Sequence, residues 1–199
     1  MKTKLLLIIL LGVLSSGCQI MERSQFPMDE THIDDELMPY YETFLKVRED
    51  LGFVEPLPHI TIKLEVIDRT WRGVCYLDKE LNDGNNYAIR REVIIDKDHY
   101  NNVMDRDGEG YHKGIEMLMF HELAHCFWEI EHANKIYPRT IKIYDHETAE
   151  DVYDEVMCRD LMHYAGRTYK GERDYLCYTQ HYDLYLGQLR AIMKNNIYR

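Results

Sequence analysis

The chain lacks any surplus of positive charge. Its 24 Lys and Arg face 35 Asp and Glu, for a formal net charge of −11. That excludes nucleic acid and an anionic lipid surface as main partners, because both require a basic face. It also lacks an apolar run of membrane-spanning length. "LLLIILLGVL", at 5–14, falls well short of the roughly 20 residues a transmembrane helix needs. There is no low-complexity tract, no Pro/Ser linker and no internal repeat, so 199 residues point to one domain. Hydrophobic residues at 45% suffice for a core, and charged residues at 30% leave a solvated surface.

The short apolar run has a meaning of its own. Lys2 and Lys4 precede it and "LSSGC" (14–18) follows, which reads as a signal peptide over 1–17. Small residues leading to a cysteine resemble a bacterial lipobox. Ser15 stands three residues before Cys18, and the usual leucine is one place earlier, at Leu14. The resemblance implies a lipidated Cys18 as first mature residue and an exported lipoprotein held to a bacterial envelope membrane by its lipid. Gln19, in place of an aspartate, favours the outer membrane in a Gram-negative host. Residues 18–33 then form a flexible tether, and 34–199 the folded domain. Export means an oxidising compartment. Cys75, Cys126, Cys158 and Cys177 are either two disulfides of open pairing or four buried thiols.

Along the domain, 34–52 reads as a helix with Leu37, Tyr41, Phe44, Leu45 and Val47 on its apolar stripe. Pro39 falls in its first turn and Gly52 at its end. Residues 59–68 alternate as a half-buried strand, Ile60, Ile62, Leu64 and Val66 facing one way. Further strands are expected at 71–77 and 88–96, with a turn region at 78–86. "DRDGEG" (105–110) is a solvated loop without the full calcium-ligand pattern. Helices are expected over 112–128, 147–162 and 172–194. Strands in one block and helices in another give an α+β fold, a small mixed sheet packed on a central helix.

That central helix carries the chemistry. His121-Glu122-Leu123-Ala124-His125 places two imidazoles one turn apart on one face. Such a pair can hold one Zn²⁺ per chain, with nitrogens about 2.0–2.1 Å away. Glu122 can reach a water on the zinc without being a ligand and serve as general base, while zinc lowers that water's pKa toward about 7. The segment around the motif is apolar, so its polar groups need partners if buried. A catalytic site needs a third protein ligand and an open position. His132 is one candidate. On an unbroken helix it would lie about 10 Å beyond His125, so this choice requires the helix to stop near 126–128 and the chain to turn back. Glu147, with Asp151 to orient a ligand histidine, is the other.

These residues resemble the zincin metallopeptidases. "HELAHCFWEIEH" followed by "DLMHY" (160–164) resembles the metzincin branch and its Met-turn. The likeness implies a zincin-like fold, peptide-bond hydrolysis and a peptide or protein substrate. It implies Met162 as floor of the site and Tyr164 as a transition-state or metal contact. It also implies a sheet edge that seats the substrate, for which 91–96 is the expected strand. The sequence departs from the usual metzincin pattern at two places: the third histidine comes one residue late, Glu131 standing where it is usual, and Trp128 replaces the usual turning glycine. The order of elements is similar to that of a small group of bacterial lipoprotein-type metzincin-like proteins. A gluzincin-like site through Glu147 and Asp151 stays open as an alternative. So does a non-catalytic surface lipoprotein whose histidines form a structural or storage site for metal. His59, His99, His112, His146 and His163 read as surface or hydrogen-bonded histidines.

Overall fold

The computed structural model of the chain describes residues 30–67, 71–81, 87–105, 109–133, 135–145, 147–162 and 172–196. The expected signal peptide, Cys18, His146, His163 and Tyr164 lie outside them. The fold is α+β, as expected. Its first strand, β1 (His32–Ile33), reaches two residues into the stretch read as tether and pairs with β2 (Thr61–Glu65). Between them runs α1 (Met38–Asp50), four residues shorter at its start than the apolar stripe suggested. Its end is as expected. Gly52 has φ +89, its N–H donates to Glu49 O at 2.8 Å, and Phe53 N–H donates to Arg48 O at 3.0 Å. This is the two-bond helix stop for which glycine's left-handed freedom is suited.

The main sheet has the order β1-β2-β4-β3, with β3 at Gly73–Leu81 and β4 at Tyr87–Asp96. β1, β2 and β4 run parallel, and β3 returns antiparallel to β4. Two expectations are corrected here. The segment 91–96 belongs to β4, which has neighbours on both sides and so offers no edge, whereas β3 pairs among the described residues with β4 alone and is an edge of the sheet they form. The alternation of 59–68 also breaks: Ile60 and Ile62 are buried, but β2 ends at Glu65, leaving Val66 60% exposed and Ile67 buried instead. β3 runs on to Leu81, through residues read as turn. A short helix, α2 (Lys97–Met104), follows directly and was not anticipated. The Asp96 carboxylate caps it by accepting from His99 N–H at 3.1 Å.

Helix α3 (Glu109–Trp128) is the axis of the molecule. From Gly114 to Phe127 every residue except His125 is buried. A helix buried on all sides needs apolar residues all round, and "IEMLMF" supplies them except at Glu116, whose carboxylate accepts from Lys113, Tyr178 and Tyr182. α1 packs on it through Phe44, whose ring meets Phe120 edge-on at 5.5 Å. The sheet covers another side with Ile62, Val93 and Ile95. Two helices, α4 (Glu172–Gln180) and α5 (Tyr182–Asn196), cover the next with Tyr178, Tyr185, Leu189 and Met193. They occupy the stretch read as one helix and are separated at His181.

The largest correction concerns 147–162, which is not a helix. β5 (Ile136–Asp145) and β6 (Glu150–Arg159) form a long antiparallel hairpin. Val152, Val156, Met157 and Leu161 have helical spacing, yet the partner strand decides the matter. Ile141, Val156 and Cys158 face inward against Cys177 of α4, while Tyr153 and Met157 are outward and exposed. Outward apolar side chains hid the period of two. The four cysteines form two disulfides, Cys75–Cys126 and Cys158–Cys177. The first ties β3 to α3, and the second ties the hairpin to α4.

Candidate metal centre

His121 and His125 sit one turn apart on α3, as their spacing requires. The helix stops at Trp128, and the chain turns back at Glu129, which has φ +51 and donates its N–H to His125 O at 2.9 Å. The later third histidine thus comes with a later turning residue, so Trp128 can remain helical. Arg91 of β4 supports this end, donating from Nε to Cys126 O at 3.1 Å. A cation suits the carbonyl end of a helix.

The turn delivers His132 to the other two. Nε2 of His125 lies 3.0 Å from Nε2 of His121 and 3.1 Å from Nε2 of His132, and the third separation is 3.2 Å. Three nitrogens on one tetrahedral zinc at about 2.05 Å would be about 3.3 Å apart. The observed triangle is nearly equilateral and close to that size. His121, His125 and His132 therefore lie close enough to hold one metal ion, and they are the one such group found among the described residues. His121 is buried, His125 half-buried and His132 exposed, so the cluster opens to solvent on one side.

The protons decide what this triangle means. His121 Nδ1 donates to Leu161 O at 2.6 Å, and His125 Nδ1 donates to Ile130 O. A carbonyl only accepts, so each Nδ1 carries the hydrogen, and in the neutral rings each Nε2 presents a lone pair. Two lone pairs facing at 3.0 Å repel unless a cation lies between them. Protonating a ring would also relieve the contact, but burial lowers the His125 pKa, a nearby His132 charge lowers it further, and only its bond to Ile130 raises it. The donor set fits a borderline metal such as zinc, and its open side leaves room for the further position a catalytic site keeps.

Glu122 is buried, 5% exposed, and burial by itself pushes its carboxyl up to about 8. A divalent cation nearby acts in the opposite direction. Its carboxylate packs against β3 at Gly73. A Cβ at that glycine would lie 2.9 Å from both Cγ and Oε1 of Glu122. Composition and spacing gave no hint of Gly73, because the contact joins two elements far apart in the chain.

Residues 160–162 meet the histidine segment through two backbone carbonyls. Besides Leu161 O on His121, Met162 O accepts from Ala133 N–H at 2.7 Å, next to His132. Met162 is 2% exposed and sits in the main core. Gln188 of α5 accepts from Leu161 N–H at 2.8 Å. The alternative ligand Glu147 does not join the cluster. It stands exposed in the turn at the far end of the β5–β6 hairpin, its N–H bonded to Asp145 Oδ1, and Asp151 pairs with Lys142 at 2.6 Å. Two ten-residue strands of about 3.3 Å per residue separate that turn from the hairpin's root. Of the other histidines, His112 bonds Tyr40 at 3.0 Å and His59 lies 3.3 Å from Thr31. No helix among the described residues is long and apolar enough to cross a membrane. The chain matches no family model, no curated protein and no solved structure.

Proposed function

We propose that the chain is a zinc-dependent peptidase of zincin type, metzincin-like in its ligand set. The observation that carries this reading is the convergence of three Nε2 atoms, two of them with lone pairs fixed by their Nδ1 bonds, beside a buried glutamate on a cluster open to solvent at His132. His121, His125 and His132 would hold one Zn²⁺. When bound, zinc supplies a Lewis acid that polarises a carbonyl and lowers the pKa of an attacking water. Glu122 would take a proton from that water and return it to the leaving amine. Burial raises this carboxyl's pKa and a bound cation would lower it, and the two opposed effects would let it both accept and release a proton. Leu161 O and Ile130 O fix the ligand tautomers. Met162 forms the floor, and Tyr164 is a further candidate contact.

The substrate is a polypeptide that lies along β3. An edge strand offers unpaired backbone groups to an extended chain. β3 also carries Gly73, the residue against Glu122, so a peptide on this edge runs past the base. Cys18 anchors the protein by its lipid to the bacterial envelope.

Glu122→Gln tests the reading, because it keeps the ligands and removes the base. The substituted protein should bind zinc like the parent and lose peptide hydrolysis. Equal hydrolysis by both would refute the role of Glu122. A non-catalytic metal store has no use for this residue, so a parent that binds zinc but cleaves nothing in a diverse peptide library would favour that alternative.

A further inference from the structure

We propose that Asp160 acts on the metal site at one remove, through the peptide group between Leu161 and Met162. The proposal rests on the zinc reading above. The Asp160 carboxylate accepts from Met162 N–H through Oδ1 at 2.9 Å. That N–H belongs to the same peptide unit as Leu161 C=O, the acceptor of His121 Nδ1–H at 2.6 Å. The path is therefore continuous: carboxylate, N–H, C=O, Nδ1–H, imidazole, and then the Nε2 that faces the other two histidines.

In many metal sites a carboxylate bonds directly to the far nitrogen of a ligand histidine, orients the ring and raises its basicity. Here a peptide is inserted between the two. A negative charge on the N–H end of an amide draws electron density toward the C=O end, and hydrogen bonds in a chain strengthen one another. The result is a stronger acceptor for His121 and a more basic Nε2.

The surroundings keep the carboxylate in place. Its Oδ2 accepts from Tyr137 OH of β5 at 3.2 Å, and Asp160 N–H donates to Lys135 O at 2.9 Å. Gln188 holds Leu161 N–H from α5. Leu161 is thus held through both of its flanking peptides, which limits the freedom of its carbonyl to rotate away from His121. An Asx turn explains the Asp160–Met162 bond alone. It does not account for the same peptide supporting a ligand. Asp160 is thus a positioning residue, not a ligand.

The test separates charge from shape. Asp160→Asn keeps an oxygen for Met162 N–H and removes the charge, while its amide NH2 meets Tyr137 OH, which can accept as well as donate. Zn²⁺ affinity is measured by competition with a chromophoric chelator, for the full chain at fixed pH, beside the urea unfolding midpoint of the metal-free protein. We expect affinity to fall about tenfold, at the low end for such outer partners, with the midpoint unchanged. Tyr137→Phe, which removes that bond and leaves the charge, should lose far less zinc affinity than Asp160→Asn. If Asp160→Asn does not fold, Asp160→Ser replaces it, since its hydroxyl can still accept from Met162 N–H. Parent-like affinity in the neutral variant, with zinc lost in His121→Ala, overturns the relay and leaves the ligand triad standing. A parent that takes up no zinc overturns both.

Discussion

Gly73→Ala is the most exacting perturbation, because it alters no group with chemistry of its own. The added methyl would stand 2.9 Å from Cγ and 2.9 Å from Oε1 of Glu122, and 3.2 Å from its Cδ. Carbon atoms in contact prefer about 3.5–4.0 Å, so one partner must yield by roughly 0.6–1 Å. β3 cannot yield easily. It pairs with β4 along its length, and Cys75, two residues on, is bonded to Cys126 of α3. The carboxylate therefore moves. A misplacement of about 1 Å can cost about 100-fold in rate, equal to about 2.7 kcal/mol of barrier. Overpacking should also cost about 1–3 kcal/mol of stability. The ligands are untouched, so zinc content should stay at the parent's level. The assay is kcat/KM on a peptide cleaved by the parent, beside zinc content and an unfolding curve. The reasoning fails if Gly73→Ala cleaves at the parent's rate while Glu122→Gln is inactive.

Two further perturbations address the frame of the site. Glu129→Gly places glycine at the left-handed turning residue, φ +51, but also removes a carboxylate whose charge acts on Arg91, so unfolding free energy in urea should rise by at most about 1 kcal/mol, with zinc content unchanged. A loss of stability would mean that the glutamate side chain holds the turn. Replacing Cys158 and Cys177 with alanine opens a disulfide that spans 19 residues, for which chain entropy predicts about 3 kcal/mol of lost stability. Zinc binding should survive, and loss of the metal at a temperature where the variant stays folded would show that the hairpin must be stapled to α4 for the histidines to converge.

The parts of the site legible in the sequence share one property. They rest on local spacing. His121 and His125 are four apart, and a helix puts them on one face whatever else the fold does. His132 needed one further inference, that the helix must end, and the chain does turn at Glu129. The turn residue itself was hidden because a glutamate does not advertise a left-handed conformation. What remained illegible is long-range. Gly73, Ile130 O, Leu161 O and Gln188 act through backbone groups or partners remote in the chain, and backbone leaves no mark in composition. The β5–β6 hairpin was misread for a different reason. β6 carries apolar residues on both faces, and a strand with Tyr153 and Met157 outward and Val156 and Cys158 inward looks like one turn after another of an amphipathic helix. That error also made Glu147 look like a ligand on a neighbouring helix. With the hairpin in place, Glu147 moves to its far turn.

The most direct measurement is zinc per chain, by elemental mass spectrometry, for the parent, His132→Ala and Glu147→Ala. The account predicts one zinc in the parent, retained in Glu147→Ala and lost in His132→Ala. A folded parent that takes up no zinc when offered it, or a site that survives His132→Ala and fails in Glu147→Ala, would contradict it.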